Sequence, residues 1–237
     1  MRDWSPVLGL PLWVWLFVIP SVIGVLCFIG GHKLERPLQP IWRFLDGVYF
    51  ASGVVSAFFM AMILLLIVSQ MIARWTSVAL PGTTEFAGYA MAATSFFALC
   101  HAMTRGAHIR VSILLNATNF TKKWLDIFAV FAAAVIATYF ARFAIKTTIF
   151  SEILNGRTQG QDQIPEWVVA VFSLPATPLS EWVSAISEST SDLVYTPVWI
   201  PQIAMSIGTV LLAICLWDTL YRLLVTGTNP IVSEAVE

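Results

Sequence analysis

Five stretches of mostly apolar residues constrain the fold of this chain more than any other feature of its sequence. They cover residues 10–30, 47–73, 86–103, 124–148 and 198–217. A helix rises about 1.5 Å per residue, so about 20 residues cross the roughly 30 Å hydrocarbon core of a bilayer. Lone strands would leave backbone groups unpaired in lipid, so the stretches are expected to be helices. Charged residues make up only 11% of the chain, against about 25% in water-soluble domains. The sequence therefore predicts an all-α membrane protein, a bundle of about five transmembrane helices.

The first stretch, residues 10–30, is interpreted as a retained span. Its apolar run is longer than the roughly 7–15 residues of a signal-peptide core, and no small-residue cleavage site follows it. Pro20 near its centre predicts a kink. An interfacial or re-entrant course of this segment is the alternative.

Basic residues indicate the orientation, because short loops rich in Lys and Arg stay in the cytoplasm. The segment before the second span and the loop after the third carry most of them: Lys33, Arg36, Arg43, Arg105, Arg110, Lys122 and Lys123. The long segment 151–197 instead carries Arg157 against acidic residues: Glu152, Asp162, Glu166, Glu181, Glu188 and Asp192. The chain is therefore expected to start outside, to end inside and to place this acidic loop on the outer side.

These boundaries divide the chain into an extra amino-terminal span (1–31), a cytoplasmic interfacial segment (32–46), a four-helix part (47–226) and a cytoplasmic tail (227–237). The four-helix part includes the outer loop 151–197. A second surface helix is predicted over residues 179–194, with one apolar face formed by Leu179, Trp182, Val183 and Ile186. A polar loop with one helical turn is the alternative there.

Small and charged residues predict several contacts. Stripes of small residues at four-residue spacing allow helices to approach closely in lipid: Gly53, Ala57 and Ala61, and Ala133, Ala137 and Ala141. Asp218 and Arg222, also four apart, are expected to form an exposed ion pair at the inner end of the last span. No predicted span carries Asp or Glu at mid-depth, so the chain is not expected to carry a transported solute by itself.

Three motifs together suggest a family. Residues 83–114 read TTEFAGYAMAATSFFALCHAMTRGAHIRVSIL, the second span closes with SQMIARW at 69–75, and the last opens with TPVW at 196–199. In this order and spacing they resemble the small, DctQ-like membrane subunit of TRAP transporters, the tripartite ATP-independent periplasmic systems. The resemblance extends over about residues 46–224 and is most specific over 85–111.

The resemblance implies a four-helix scaffold in the bacterial inner membrane. Its expected partners are a large permease subunit, a periplasmic substrate-binding protein and membrane lipids. In such systems cation-coupled uptake, of an organic acid or similar small solute, takes place in the large subunit. No cofactor is implied, and a net charge of −1 gives no reason to expect nucleic acid. The span 10–30 and the length of the loop 151–197 depart from the family pattern.

Seven residues are candidates for structural support or subunit contact: Arg74, Glu85, Gly106, His108, Arg110, Pro197 and Trp199. Arg74 and Glu85 flank the outer hairpin that turns at Pro81–Gly82, and a salt bridge between them is predicted. His108 and Arg110 lie in a cytoplasmic turn without an accompanying nucleophile or carboxylate, so no catalysis is predicted.

Two other classes of function are weighed against the transporter subunit. The alternative is the membrane-anchor subunit of a redox complex that binds haem. Haem ligation needs histidines opposed across helices, whereas only His101 lies within a predicted span and His32 and His108 lie near cytoplasmic ends. A membrane enzyme would need a catalytic constellation within the spans, and the sequence contains none.

Overall fold

The computed structural model describes Trp4, residues 6–105 and residues 119–227. Most of this backbone is helical. The α-helices follow in the order α1 (Ile19–Gly30), α2 (Glu35–Trp75), α3 (Thr83–Thr104), α4 (Asn119–Ile153), α5 (Glu166–Ser173), α6 (Trp182–Ser187) and α7 (Trp199–Thr226). The protein is therefore all-α, as the sequence predicts.

Four helical runs in the described part of the chain are long and apolar enough to cross a membrane. They are Val14–Trp75, Thr83–Thr104, Trp124–Ile153 and Trp199–Thr226. The last three correspond to predicted spans. The first run joins the first two predicted spans, with a π-helical turn at Val14–Val18 before α1 and a 3-10 turn at Gly31–Leu34 between α1 and α2. The polypeptide is a multi-pass membrane protein.

Short antiparallel strand pairs accompany the helices. Strand β1 (Pro6–Val7) pairs with β2 (Leu10–Pro11) ahead of α1. Strand β3 (Gln163–Pro165) pairs with β4 (Leu193–Tyr195), and an isolated bridge joins Arg157 to Pro197. The second pair closes the ends of the segment between α4 and α7 onto each other.

The chain divides into two compact units. The first comprises residues 1–55, 97–143 and 207–237, and the second comprises residues 56–96 and 144–206. The core of the first unit lies between α4 and α7, where alanines of α4 meet larger side chains of α7. Its buried members are Val130, Ala134, Ala137, Ala141, Ala213, Leu216, Trp217 and Leu220. The alanine stripe predicted on α4 thus lies in this core.

The small residues of α2 behave differently. A Cβ atom on Gly53 would lie 2.7 Å from the ring of His101, so only glycine allows α3 to approach here. Ala57 and Ala61 are exposed, and the predicted stripe packs against this chain at Gly53 only.

Two predicted surface segments differ from the structure. Residues 35–46 are the first turns of α2, continuous with the second span. The predicted helix over 179–194 is wrong in extent: α6 covers Trp182–Ser187, and β4 begins at Leu193. Ser189, which follows α6, bonds locally, because its Oγ donates to the carbonyl of Ile186 at 2.6 Å. Such local bonds compete with continued helix.

The α4–α7 core makes a testable prediction. Ala134 is fully buried and Ala129 is exposed on the same helix. We expect Ala134→Leu to lower the free energy of unfolding by about 1–3 kcal/mol through overpacking, and Ala129→Leu to leave it nearly unchanged. Thermal unfolding of the two purified variants in detergent measures the difference, and equal melting temperatures would contradict the packing described here.

Candidate functional site

Arg222, on the penultimate turn of α7, is the centre of an ionic cluster in the first unit. Its Nη2 atom lies 2.7 Å from Oδ1 of Asp46 and 2.9 Å from Oδ2 of Asp218. Nη2 also donates to the carbonyl of Trp42 at 3.2 Å, and the guanidinium lies 5.4 Å from the centre of the Trp42 ring. One guanidinium thereby holds α2 and α7 together.

Asp218 is the buried member of this cluster. Its side chain is 6% exposed and accepts a hydrogen bond from Tyr49 Oη at 3.2 Å. The predicted Asp218–Arg222 pair is confirmed, but the expectation that it is exposed is wrong. The reason is the packing of Tyr49, which is itself buried with Cys100 and Cys215. A buried carboxylate needs hydrogen-bond donors, and Arg222 and Tyr49 both donate to its Oδ2 atom.

A second polar cluster lies in the outer-loop part of the second unit and is centred on Asp162. Its carboxylate accepts hydrogen bonds from Tyr89 Oη and from Thr158 Oγ1, the latter at 3.0 Å. Its backbone carbonyl accepts from the backbone N–H of Thr196 at 3.2 Å. Burial of Asp162 by itself raises the pKa of the carboxyl, but the hydrogen bonds outweigh burial and hold that pKa below its ordinary value.

Two glycines allow the loop to reach the start of α3. Gly82 has φ +79°, and a Cβ atom there would lie 2.8 Å from the carbonyl oxygen of Gln161. A Cβ atom on Gly160 would lie 2.8 Å from Oδ1 of Asp162 and 3.0 Å from Oε1 of Glu85. A larger residue at Gly82 would meet the backbone of the loop, and one at Gly160 would displace the carboxylates of Asp162 and Glu85.

Glu85 is thereby occupied by the loop. Its Oε1 atom accepts a hydrogen bond from the backbone N–H of Gln161 at 3.2 Å. Arg74 is exposed, and within the described residues no ion pair joins it to Glu85. The predicted salt bridge is wrong, because Glu85 faces the loop rather than the end of α2.

The other candidate residues fall into two groups. Pro197 is buried and bridges Arg157, next to the backbone bond between Thr196 and Asp162. Trp199 is the first residue of α7 and is half-buried. Gly106, His108 and Arg110 lie outside the described residues. The structure thus brings Glu85 and Pro197 to one loop base, and their contact with a partner stays a prediction.

The outer loop also forms a cavity of about 300 Å³. It is lined by Arg157, Glu166, Val169, Ala170, Ser173, Ala185, Glu188, Ser189 and Val194. Arg157 is fixed by its bond to the carbonyl of Tyr195 at 3.0 Å. Glu166 accepts from Thr190 through Oγ1 at 2.7 Å and through the backbone N–H at 3.1 Å. These two bonds lower the pKa of Glu166.

Sequence reasoning missed the Asp162 cluster and this cavity. Tyr89 and Asp162 are far apart in the chain, and no local pattern encodes their contact. The only signal near Asp162 is the polar, glycine-containing run from Thr158 to Gln163, which predicts a turn but not its partner.

The surroundings of His101 bear on the haem alternative. The ring packs against Gly53 and meets Phe50 edge-on at 6.4 Å. Among the residues that the structure describes, no group of three or more His, Cys, Asp or Glu side chains could hold a metal ion. His32 is exposed beside Glu35. Nothing in these surroundings favours haem binding.

A family match follows the geometry. The model of the DctQ component of the tripartite ATP-independent periplasmic transporters matches residues 63–179. This segment runs from the last third of α2 to the outer loop and covers just under half of the chain, 117 of 237 residues. The match confirms the resemblance that the motifs indicate and supports a small membrane subunit of such a transporter. With the four apolar helices, it makes the chain a multi-pass protein of the inner membrane. No curated protein and no solved structure matches the chain.

The ionic cluster makes a graded prediction. Arg222→Met leaves Asp218 buried without its cation, and we expect a loss of about 3–5 kcal/mol in the free energy of unfolding. Adding Asp218→Asn should recover much of that loss, because the buried charge is gone. Asp46→Asn should cost less than about 1 kcal/mol, because the Asp46 side chain is 54% exposed. Unfolding titrations in mixed detergent micelles test this order, and an equal loss in Asp46→Asn and Arg222→Met would contradict it.

The lowered pKa of Asp162 predicts a pH dependence. A carboxyl whose pKa is lower in the folded state stabilises the fold above its unfolded pKa and loses that contribution as the pH falls. The ordinary value is 3.8, so protection of the loop against proteolysis should decline as the pH falls towards and below this value. Asp162→Asn should be cleaved faster at neutral pH and show less of the acid-dependent increase. Glu181→Gln, at an exposed acid of the same loop, is the control and should match the unaltered protein.

Proposed function

We propose that this chain is the small scaffold subunit of a TRAP-type secondary transporter. In this proposal it supports a large permease subunit during cation-coupled uptake of an organic acid or similar small solute. The observation that carries the proposal is the DctQ match over residues 63–179. The apolar helices and the acidic outer loop are consistent with that role.

Helix α2 offers the surface for the large subunit. Only 11% of its most apolar window is buried in this chain, against 50% for α7. Large side chains project from it along its length: Phe44, Phe50, Val54, Phe58, Leu64 and Leu65. Lipid and another subunit can both cover such a face, and hydrophobicity alone does not drive helices together in a membrane. We assign the α2 face to the permease because this is the least buried of the apolar helices, and the family match includes its last third.

The buried acid of α7 already has a cation of this chain, Arg222, as its partner. The carboxylate of Asp218 already accepts hydrogen bonds from Arg222 Nε at 3.0 Å and from Tyr49 at 3.2 Å. Coupling to a cation therefore falls to the large subunit in this proposal.

The acidic outer loop is the proposed docking surface for a periplasmic binding protein. Glu181, Glu188 and Asp192 are exposed on it, and Glu188 also lines the outer cavity. Charges at the rim of an interface mainly affect encounter rate and salt dependence. The loop therefore supports recruitment of a basic surface rather than tight binding.

Co-purification tests the proposal. Coexpressed with the large permease of the same transporter, this chain should retain it through detergent purification on a tag. Phe58→Ala with Leu65→Ala, on the proposed α2 face, should lower the retained fraction. Phe128→Ala with Ile136→Ala on α4 should not. The four side chains are similarly exposed, at 64%, 65%, 68% and 68% in that order.

Each result has a defined meaning. Failure of the unaltered chain to retain the permease would overturn the proposed function. Retention reduced equally by both double variants would overturn the assignment of the interface to α2. Tight binding of a small organic anion by the isolated chain would overturn the assignment of solute binding to the large subunit.

A further inference from the structure

The amino-terminal segment folds back on itself before α1. Strands β1 and β2 pair around a turn at Leu8 and Gly9, whose φ angles are +52° and +83°. Trp15 Nε1 donates to the carbonyl of Val7 at 3.1 Å. The ring of Trp4 lies 6.3 Å from that of Phe17. Trp4, Pro6 and Val7 therefore lie beside the residues that lead into α1.

The register of α1 against its neighbours is also specific. Tyr221 Oη donates to the carbonyl of Pro20 at 3.1 Å. A Cβ atom on Gly24 would lie 3.7 Å from Leu224 Cδ1 and 3.8 Å from Tyr221 Cε1. The middle of the apolar stretch thus packs on the last two turns of α7.

The next turn of α1 packs against α4. The ring of Phe28 lies 6.1 Å from that of Trp124, and Trp124 begins the apolar part of α4. The contacts of α1 with both helices therefore lie at the same end of the first unit as the cluster of Arg222 and Asp46.

Positions along α7 indicate the depth in the membrane at which α1 packs. It has 28 residues, from Trp199 to Thr226. Tyr221 and Leu224 lie on the order of 10 residues beyond its midpoint, which is roughly 15 Å along the axis, or about half the thickness of the hydrocarbon core. A helix that crosses the bilayer has its middle near the middle of its neighbours. The middle of α1 instead lies near one face of the membrane.

The fold-back gives a second argument. Phe17 lies close to the centre of the apolar stretch, and Trp4 lies beside it. If the stretch crossed the membrane, Trp4 and the non-helical backbone of the fold-back would lie near the bilayer centre, where unpaired polar groups are costly. With the middle of α1 near one face, the fold-back lies close to the headgroups, the depth at which Trp is enriched.

We infer that Trp4 and residues 6–30 belong to a non-crossing hairpin held in the membrane leaflet at the carboxyl-terminal end of α7, with Trp4 on that same side. By the distribution of basic residues this side is the cytoplasm. The hairpin replaces the fifth span that the sequence predicts, and four crossings remain.

Lipid is the partner that fits the outer face of the hairpin. Its exposed side chains are apolar: Val22, Val25, Leu26 and Ile29. The turn that follows is basic and exposed at His32, Lys33 and Arg36. Acyl chains suit the first group and anionic headgroups suit the second. The pairing of β1 with β2 satisfies part of the non-helical backbone, which lipid cannot do.

Sidedness labelling in native membrane vesicles tests the inference. The full chain, with Cys27, Cys100 and Cys215 replaced by Ala, receives a hydrophilic tag with one cysteine before Met1. Separate chains carry Lys33→Cys and Glu188→Cys as references for the two sides. Vesicles of the two orientations are treated with a membrane-impermeant maleimide. In the orientation in which position 33 is labelled, the tag should be labelled too. In the orientation in which position 188 is labelled, the tag should not react. Labelling of the tag with position 188, or with neither, would overturn the inference.

Docking of the hairpin has its own test, with native Cys27 as the reporter. Cys27 is 5% exposed and lies on α1, where Gly24 faces α7. With Cys100 and Cys215 replaced by Ala, Gly24→Leu should make Cys27 react faster with a thiol reagent. Gly47→Leu is the control, because nothing lies within 4 Å of a Cβ atom there. Unchanged reactivity in Gly24→Leu, or an equal rise in both variants, would overturn the docking and with it the register argument.

Discussion

The pairing of Arg222 with the buried carboxylate of Asp218 is the interaction on which the first unit depends. A guanidinium and a carboxylate in a weakly polar environment are costly to separate, since each would be left without its counter-charge. The cluster fixes which residues of α2 face α7. Trp42, Asp46 and Tyr49 contact Arg222 or Asp218, and their spacing of four and three residues places them on one side of a helix.

The same side of α2 continues towards α3. Ser52 Oγ donates to the carbonyl of Phe97 at 2.5 Å, and Gly53 leaves room for the ring of His101. In lipid, apolar area gives little drive for helix association, so small residues and polar groups have to define contacts. Between α4 and α7 the alanines do this, together with the bond from Trp217 Nε1 to Thr138 Oγ1 at 2.9 Å. The many large apolar side chains mostly point away from these contacts.

Because small and polar residues define the contacts while large apolar residues face outwards, the sequence predicts the helices better than the contacts between them. Apolar length predicts helices well, because lipid enforces them, and four-residue spacing was sufficient to find the pair of Asp218 and Arg222. The third member, Asp46, is 176 residues from Arg222, and no local pattern links them. The same holds for Asp162 and Tyr89, 73 residues apart. Arg74 and Glu85 are only 11 residues apart, yet Glu85 bonds to Gln161, 76 residues away.

The length of α2 connects these observations with the proposed role of the chain as a scaffold. Its 41 residues make a rod of about 60 Å at 1.5 Å per residue, roughly twice the hydrocarbon core. Such a rod must tilt or extend beyond the membrane. Asp46, a third of the way along it, is held at the end of α7 by Arg222, so the turns before Asp46 extend past that contact. One helix then has an ion-paired part that attaches it to its own chain and a largely unburied apolar part beyond. A scaffold requires this combination, because a surface offered to another subunit is useful only if its own chain holds it in place.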